Sequence, residues 1–327
     1  MKKIFFLTLL ATFAVIGKSH AQDHLVATLD HEGTLSTFTG SNAFVQAHAA
    51  AAHGDIITLS SGMFAAPDTL SKAITLYGTG IISDSTSAQT IINSVMKIKI
   101  PDGVSQILTI EGIYFTNNLS YVYVNNPVFN KCRMYGFSYY GNTNCKIYNA
   151  KFNQCRILSC YITPSSSATF NNCFLSYDAA NVFGECFFYN SVISSPLSCF
   201  GGSSFINCFL YGTGSSVLPS SSNAISCVGY KTSGEFIFKN VIDNSTDVLV
   251  DSLGAVFKTW RGNYDDHETF ELTDEAKTKY LGNDGTQIGI YGGAMPYDPT
   301  PTNPQITKFL LTPKPAEKKL EIQIEAK

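Results

Sequence analysis

Between residues 103 and 234 the only acidic side chains are Glu111, Asp178 and Glu185. A close pair of carboxylates can cleave a glycosidic bond, one as acid and the other as base or nucleophile. Asp178 and Glu185 would meet only across a sharp turn, and two separate surface acids are the plainer expectation. Arg133 and Arg156, with Lys131, Lys146 and Lys151 near them in sequence, would make a small basic strip for acidic sugars; an ordinary solvated face is the alternative. The chain holds 17 tyrosines. Tyr121, Tyr123, Tyr139, Tyr140 and Tyr148 crowd one region beside Asn125, Asn126, Asn142 and Asn144. Aromatic faces stack on sugar rings and amides bond hydroxyls, so these tyrosines are the candidate ligand-binding residues. Against that, Tyr is also simply a good outward strand residue. The run Asp265-Asp266-His267-Glu268 has metal-ligand residue types. Neighbours along a strand point opposite ways, so at most two would converge, and an acidic loop is the plainer reading. No metal or cofactor is expected, with Ca²⁺ or Zn²⁺ at that run as the alternative. No His pairs with a Ser or Cys nucleophile in a recognisable pattern.

What would position these residues is a repeat. Six stretches between residues 110 and 210 share the pattern apolar, any, Asn or a substitute, small or apolar, any, apolar. They start at Ile110, Phe129, Phe152, Phe170, Phe188 and Phe205, and their fourth positions (113, 132, 155, 173, 191 and 208) are spaced by 19, 23, 18, 18 and 17 residues. A looser copy starts at Phe238. Self-similarity at this period is the sign of a solenoid. Cys132, Cys155, Cys173 and Cys208 share the fourth position, so they should stack about 4.8 Å apart inside the tube as small apolar residues rather than form bridges or a metal site. Bridges among Cys145, Cys160, Cys186 and Cys199 stay open. The third position (Lys131, Gln154, Asn172, Asn190, Asn207) is the expected bend, because Asn tolerates left-handed backbone. Stacked bends would put Asn172, Asn190 and Asn207 in a row, each amide bonding the next. Arg133 and Arg156 share an outward position and should be neighbours. In later coils that position is Phe174, Val192 and Phe209, an apolar row that needs a cover, either a loop or a partner.

Residues 1–21 have the shape of an export signal: Lys2 and Lys3, then an apolar stretch from Phe5 to Gly17, then Ala21 before Gln22. The expected location is secreted or outer surface, or else periplasm. Net charge is −3, so nothing favours nucleic acid, and no later segment is long and apolar enough to span a membrane. Residues 41–53 read as a helix with Ser41 as cap and Phe44, Ala47 and Ala51 on one face, suited to plugging the open end of a solenoid. Residues 22–250 are expected to form the solenoid with this cap. Residues 214–226 break the register and read as a looser coil or loop. Residues 251–298 read as a C-terminal cap with a short helix near 272–280, and residues 299–327 as a Pro-rich tail ending in a strand.

Two motifs resemble the pectin-lyase-like, right-handed parallel β-helix superfamily. One is the expected helix followed by Gly54-Asp55-Ile56-Ile57-Thr58-Leu59-Ser60-Ser61-Gly62-Met63-Phe64, similar to that group's entry coil, together with the Phe-x-Asn-Cys repeat. The other is Asn283-Asp284-Gly285-Thr286-Gln287-Ile288-Gly289-Ile290-Tyr291-Gly292-Gly293, similar to the stretch that closes many secreted bacterial β-helices. The resemblance implies an all-β parallel β-helix over residues 40–295. It implies much less about function, since the group holds lyases, hydrolases, adhesins and inert scaffolds. Its lyases carry clustered acids for Ca²⁺ and an Arg or Lys base; its glycosidases carry an Asp, a paired Asp-Asp, Gly-His and Arg-x-Lys. The coils here lack both sets. The leading expectation is therefore a non-catalytic protein binding glycans or a host surface. A polysaccharide lyase or glycoside hydrolase, with Arg133, Arg156, Asp178 and Glu185 as candidates, is the alternative. A scaffold whose partner lies along Phe174 and Phe209 is the third.

Overall fold

The computed structural model describes residues 25–82, 88–137, 146–158, 167–176, 185–195, 201–212, 218–230, 248–250, 252–260, 268–302, 306–314 and 319–326. Residues 1–21, where an export signal is expected, Tyr139, Tyr140, Asp178, Cys145, Cys160, Cys199, Asp265 to His267 and the copy at Phe238 lie outside them. Strands stack into two long sheets that share one filled interior. From Ile56–Leu59 onward the neighbours in the first sheet are parallel, rung over rung, from Ile57 through Leu76, Ile110, Phe129, Phe152, Phe170, Phe188 and Phe205 to Ala224. The second sheet runs the same way, with Phe115, Met134, Ile157, Leu175, Ile193 and Leu210 pointing inward. This is a parallel β-helix. An antiparallel hairpin, β1 (Val26–His31) and β2 (Thr34–Thr39), extends the first sheet at its N-terminal end. A second hairpin, Ile306–Lys314 with Lys319–Ala326, follows the solenoid.

Each later coil joins its two sheets by a single left-handed residue. Lys131, Gln154, Asn172, Asn190 and Asn207 have φ between 47° and 57°, as the third position predicts. The bend costs a non-glycine residue about 1 kcal/mol, and the packing it permits outweighs that. It turns the preceding Phe and the following Cys or Ser into the same interior. Phe129, Phe152, Phe170, Phe188 and Phe205 stack with centroids 4.7–5.1 Å apart and planes within 8°. Each buried ring is worth roughly 2–3 kcal/mol over an exposed one. The fourth-position thiols are buried, as expected, and also polar in effect. Cys173 Sγ donates to Phe152 O and Asn171 O, both 3.3 Å away. Cys132, Cys155, Cys208 and Cys227 repeat this arrangement, and at Ser191 the hydroxyl does the same. A small donor here adds a second bond to carbonyls beside the bend; Asn171 O, for example, also accepts from Gln154 N at 2.8 Å, and the buried donor is itself satisfied.

Several expectations change. The bonded amide row lies one residue earlier than foreseen: Asn171 Nδ2 donates to Asn153 Oδ1 and Asn153 Nδ2 to Asn130 Oδ1, each at 2.8 Å. These side chains stand on parallel strands in register, whereas Asn172 and Asn207 reach across to the C-terminal segment. Of the two readings of 214–226, the coil holds among the described residues, and it is more regular than expected. Ala224 takes the Phe position, Ser226 (φ 52°) the bend and Cys227 the interior; without Phe and Asn its register did not show in the pattern. The helix spans Ala43–Ala50, with Asn42 at its start and no side-chain cap bond, so Ser41 does not cap it. Ser41 instead offers its carbonyl to Ala65 N. Phe44, Ala47 and Ala51 are buried as expected. Cys186 is a free, buried thiol in register with Ala168, facing the core and in no bridge.

The C-terminal segment covers the outer face of the second sheet. Phe174, Val192, Phe209 and Val228 form one outward row, and Val256, Phe257, Phe270, Leu272, Ala276, Ile288 and Ile290 pack against it. Within it, the short helix Asp274–Lys279 is capped by Thr273 Oγ1, which accepts from Ala276 N. The chain then runs back along the bends. Asn207 Oδ1 accepts from Asn283 N. Asn172 Nδ2 donates to Ile290 O and Gly292 O, Gln154 Nε2 to Pro296 O and Lys131 Nζ to Thr300 O. Glu111 accepts from Thr302 N and, at 2.7 Å, from its hydroxyl. At Gly112 (φ 69°) a Cβ would stand 3.0 Å from Pro301 Cγ, so glycine fits where the strap passes closest. The apolar row is thus covered by the chain itself, which removes the reading in which a partner docks along Phe174 and Phe209.

Candidate functional site

Arg133 and Arg156 are register neighbours, as the repeat requires, but neither stands in an open cleft. Arg133 is buried, with its guanidinium 4.1 Å from the centroid of the Tyr114 ring. Arg156 Nε donates to Tyr297 Oη at 3.0 Å and its Nη2 to Glu268 O at 2.7 Å. It also lies over the rings of Tyr297 and Phe270. A guanidinium with this many donors engaged is a clamp on the strap rather than a base waiting for a proton. Nor do the lysines form a strip with it: Lys131 holds the strap, and Lys151 stands exposed on the first sheet. Glu185 is exposed at the start of the strand Cys186–Tyr189. Glu268, the described member of the acidic run, is buried and accepts from Phe270 N at 3.1 Å.

The tyrosines are better placed. The strand Ile113–Asn125 shifts register between Phe115 and Asn118 and again between Ser120 and Val122, where Tyr121 falls; its part from Leu119 onward forms a third wall continuous with the second sheet. There it pairs with Met96–Lys99 on one side and Lys146–Tyr148 on the other. Val122, Val124, Ile98 and Ile147 point into the core. Period-two alternation therefore turns Lys97, Lys99, Tyr123, Asn125 and Tyr148 outward. Lys99 is directly beside Tyr123, and Asn125 directly beside Tyr148. Tyr123 and Tyr148 are diagonal neighbours, about 8 Å apart by strand rise and spacing. The Tyr123 hydroxyl donates to the Asp102 carboxylate at 3.1–3.2 Å, which fixes the ring against the wall. Lys97, Lys99 and Asn125 are exposed, and the two rings are half-buried.

Lys97, Lys99 and Asp102 were not foreseen as companions of the tyrosines. The signal existed in the alternation Met96-Lys97-Ile98-Lys99, a half-buried strand with two lysines on its outer side. What the sequence could not supply was the register that brings this strand beside Tyr123. Among the described residues no three of His, Cys, Asp and Glu cluster as metal ligands would, and no helix is long and apolar enough to cross a membrane. The fold defines the class, a parallel β-helix protein. Comparison with family models, curated proteins and solved structures finds no match for this chain.

Proposed function

We propose that this is a non-catalytic, exported member of the pectin-lyase-like β-helix proteins that binds glycans of a cell surface through its third wall. The supporting observation is the flat outward group of Lys97, Lys99, Tyr123, Asn125 and Tyr148 on strands held in register. Two ring faces offer stacking to sugar rings, while the amide and ammonium groups offer bonds to hydroxyl and acidic substituents. A rigid sheet keeps the ordering cost of binding low. The groups an enzyme of this fold would have used, Arg133 and Arg156, are engaged elsewhere. The test is a glycan array followed by calorimetry on any hit. Tyr123→Ala and Tyr148→Ala should each weaken binding about tenfold, corresponding to roughly 1.4 kcal/mol, with the melting temperature little changed. Absence of binding to every glycan, or turnover of a polysaccharide that survives both substitutions, would overturn the reading.

A further inference from the structure

β2 ends the first sheet, and among the described residues it pairs with β1 alone. Gly40 N donates to Leu25 O at 2.8 Å. In an antiparallel ladder that bond fixes the alternation along the strand. Thr34, Ser36 and Phe38 exchange backbone bonds with β1, and the N–H and C=O groups of Leu35, Thr37 and Thr39 point to the open edge. Sheet edges usually carry a charge, a proline or a bulge that discourages further pairing. β2 has none of these. It reads Thr-Leu-Ser-Thr-Phe-Thr, its six-residue register is unbroken, and Leu35 is 68% exposed. The exposed residues of the adjoining cap helix, Asn42, Gln46, Ala49 and Ala50, are uncharged as well.

We propose that this edge is a self-association surface, where β2 pairs antiparallel with β2 of a second copy about a two-fold axis. Opposed residues in an antiparallel pair share a face, and a two-fold allows this only between residues of the same parity. With Thr37 opposite itself, Leu35 stands opposite Thr39 of the second copy. All three edge-facing residues then find partners, giving about six backbone bonds. No like charges meet. Asp30, His31 and Glu32 lie by the hairpin turn, and the two-fold sends the two turns to opposite ends of the junction. A strand pair of this length buries little area, so the dimer is weak and concentration-dependent.

Sedimentation of the mature chain over a wide concentration series is the experiment. The expected mass rises toward roughly twice that of one chain. Thr37→Lys sets two ammonium groups face to face, and Thr37→Pro deletes an edge N–H without touching the β1 ladder; both should remain monomeric. The pair Leu35→Lys with Thr39→Lys should also be monomeric, whereas Leu35→Lys with Thr39→Glu should restore the dimer by opposing unlike charges. Far-UV circular dichroism confirms that each variant is folded. A wild-type chain that is monomeric throughout overturns the proposal. So does a dimer indifferent to Thr37→Lys, or association only with an unrelated protein. A dimer in which the unlike-charged pair fares no better than the like-charged one overturns the register.

Discussion

The fourth-position cysteines show how one small side chain can serve two needs. Each fills the corner behind a stacked Phe, and each thiol donates to carbonyls on its own rung and the one before. Burial pushes the Cys132 and Cys155 thiols well above their usual range, and raises Cys186 to about 12. A thiol that stays protonated and covered is a poor nucleophile. Iodoacetamide should therefore leave Cys132, Cys155, Cys173, Cys186, Cys208 and Cys227 unmodified in the native protein and label them all once it is unfolded. Peptide mass spectrometry reads the result, and fast native labelling at any of the six contradicts the interior ladder. Ser191 in the same position indicates that the donor matters more than the sulfur.

The N-terminal cap carries the clearest pH-sensitive element. His48 is buried on the helix Ala43–Ala50, and its Nε2 accepts from Ser71 N at 3.2 Å. Lys72, whose ammonium bonds the carbonyls of His48 and Ala49, stands beside it. Burial first, and then the Lys72 charge, lower its pKa to about 4. The unfolded chain binds that proton more readily, so the cap loses stability as pH falls from about 6.5 towards 4. His31 acts in the opposite sense. Its hydrogen bond and charge interaction with buried Asp55 raise its pKa, so its contribution is complete below about 6.5 and is lost as pH rises through its folded value. His31 is exposed and its pair is solvent-screened, so His48 should dominate. The melting temperature should fall on acidification over this window, and His48→Gln should flatten that fall. A wild-type profile that is level there would count against the buried neutral imidazole.

Across the whole molecule, a plain solenoid behaves as a one-dimensional array whose ends can fray separately. The strap changes this, because Arg156, Asn172 and Asn207, on three different coils, all bind the same returning segment. Trp260, the single tryptophan, packs on Phe209 and Phe257 beneath that segment. Thermal unfolding followed by Trp fluorescence and by circular dichroism should give one coincident transition. Arg156→Ala with Asn172→Ala should cost about 2–4 kcal/mol from the lost hydrogen bonds and release the fluorescence signal first. Separate transitions in the unaltered chain would refute the clasp. The coils were legible in the sequence because Phe, the bend residue and Cys recur at a near-constant step. The strap was not. Its bonds join Asn172 to Ile290 and Glu111 to Thr302, pairs too far apart to leave a periodic trace. The tyrosine wall was half legible: residue types pointed to it, but only strand register brought Lys99 beside Tyr123.

Chain order gives the strap one further consequence. Every coil leaves the ribosome before the residues that clasp it. During that interval Phe174, Val192 and Phe209 face water as a greasy stripe, and they must be shielded by a chaperone or outrun by the arrival of residues 256–297.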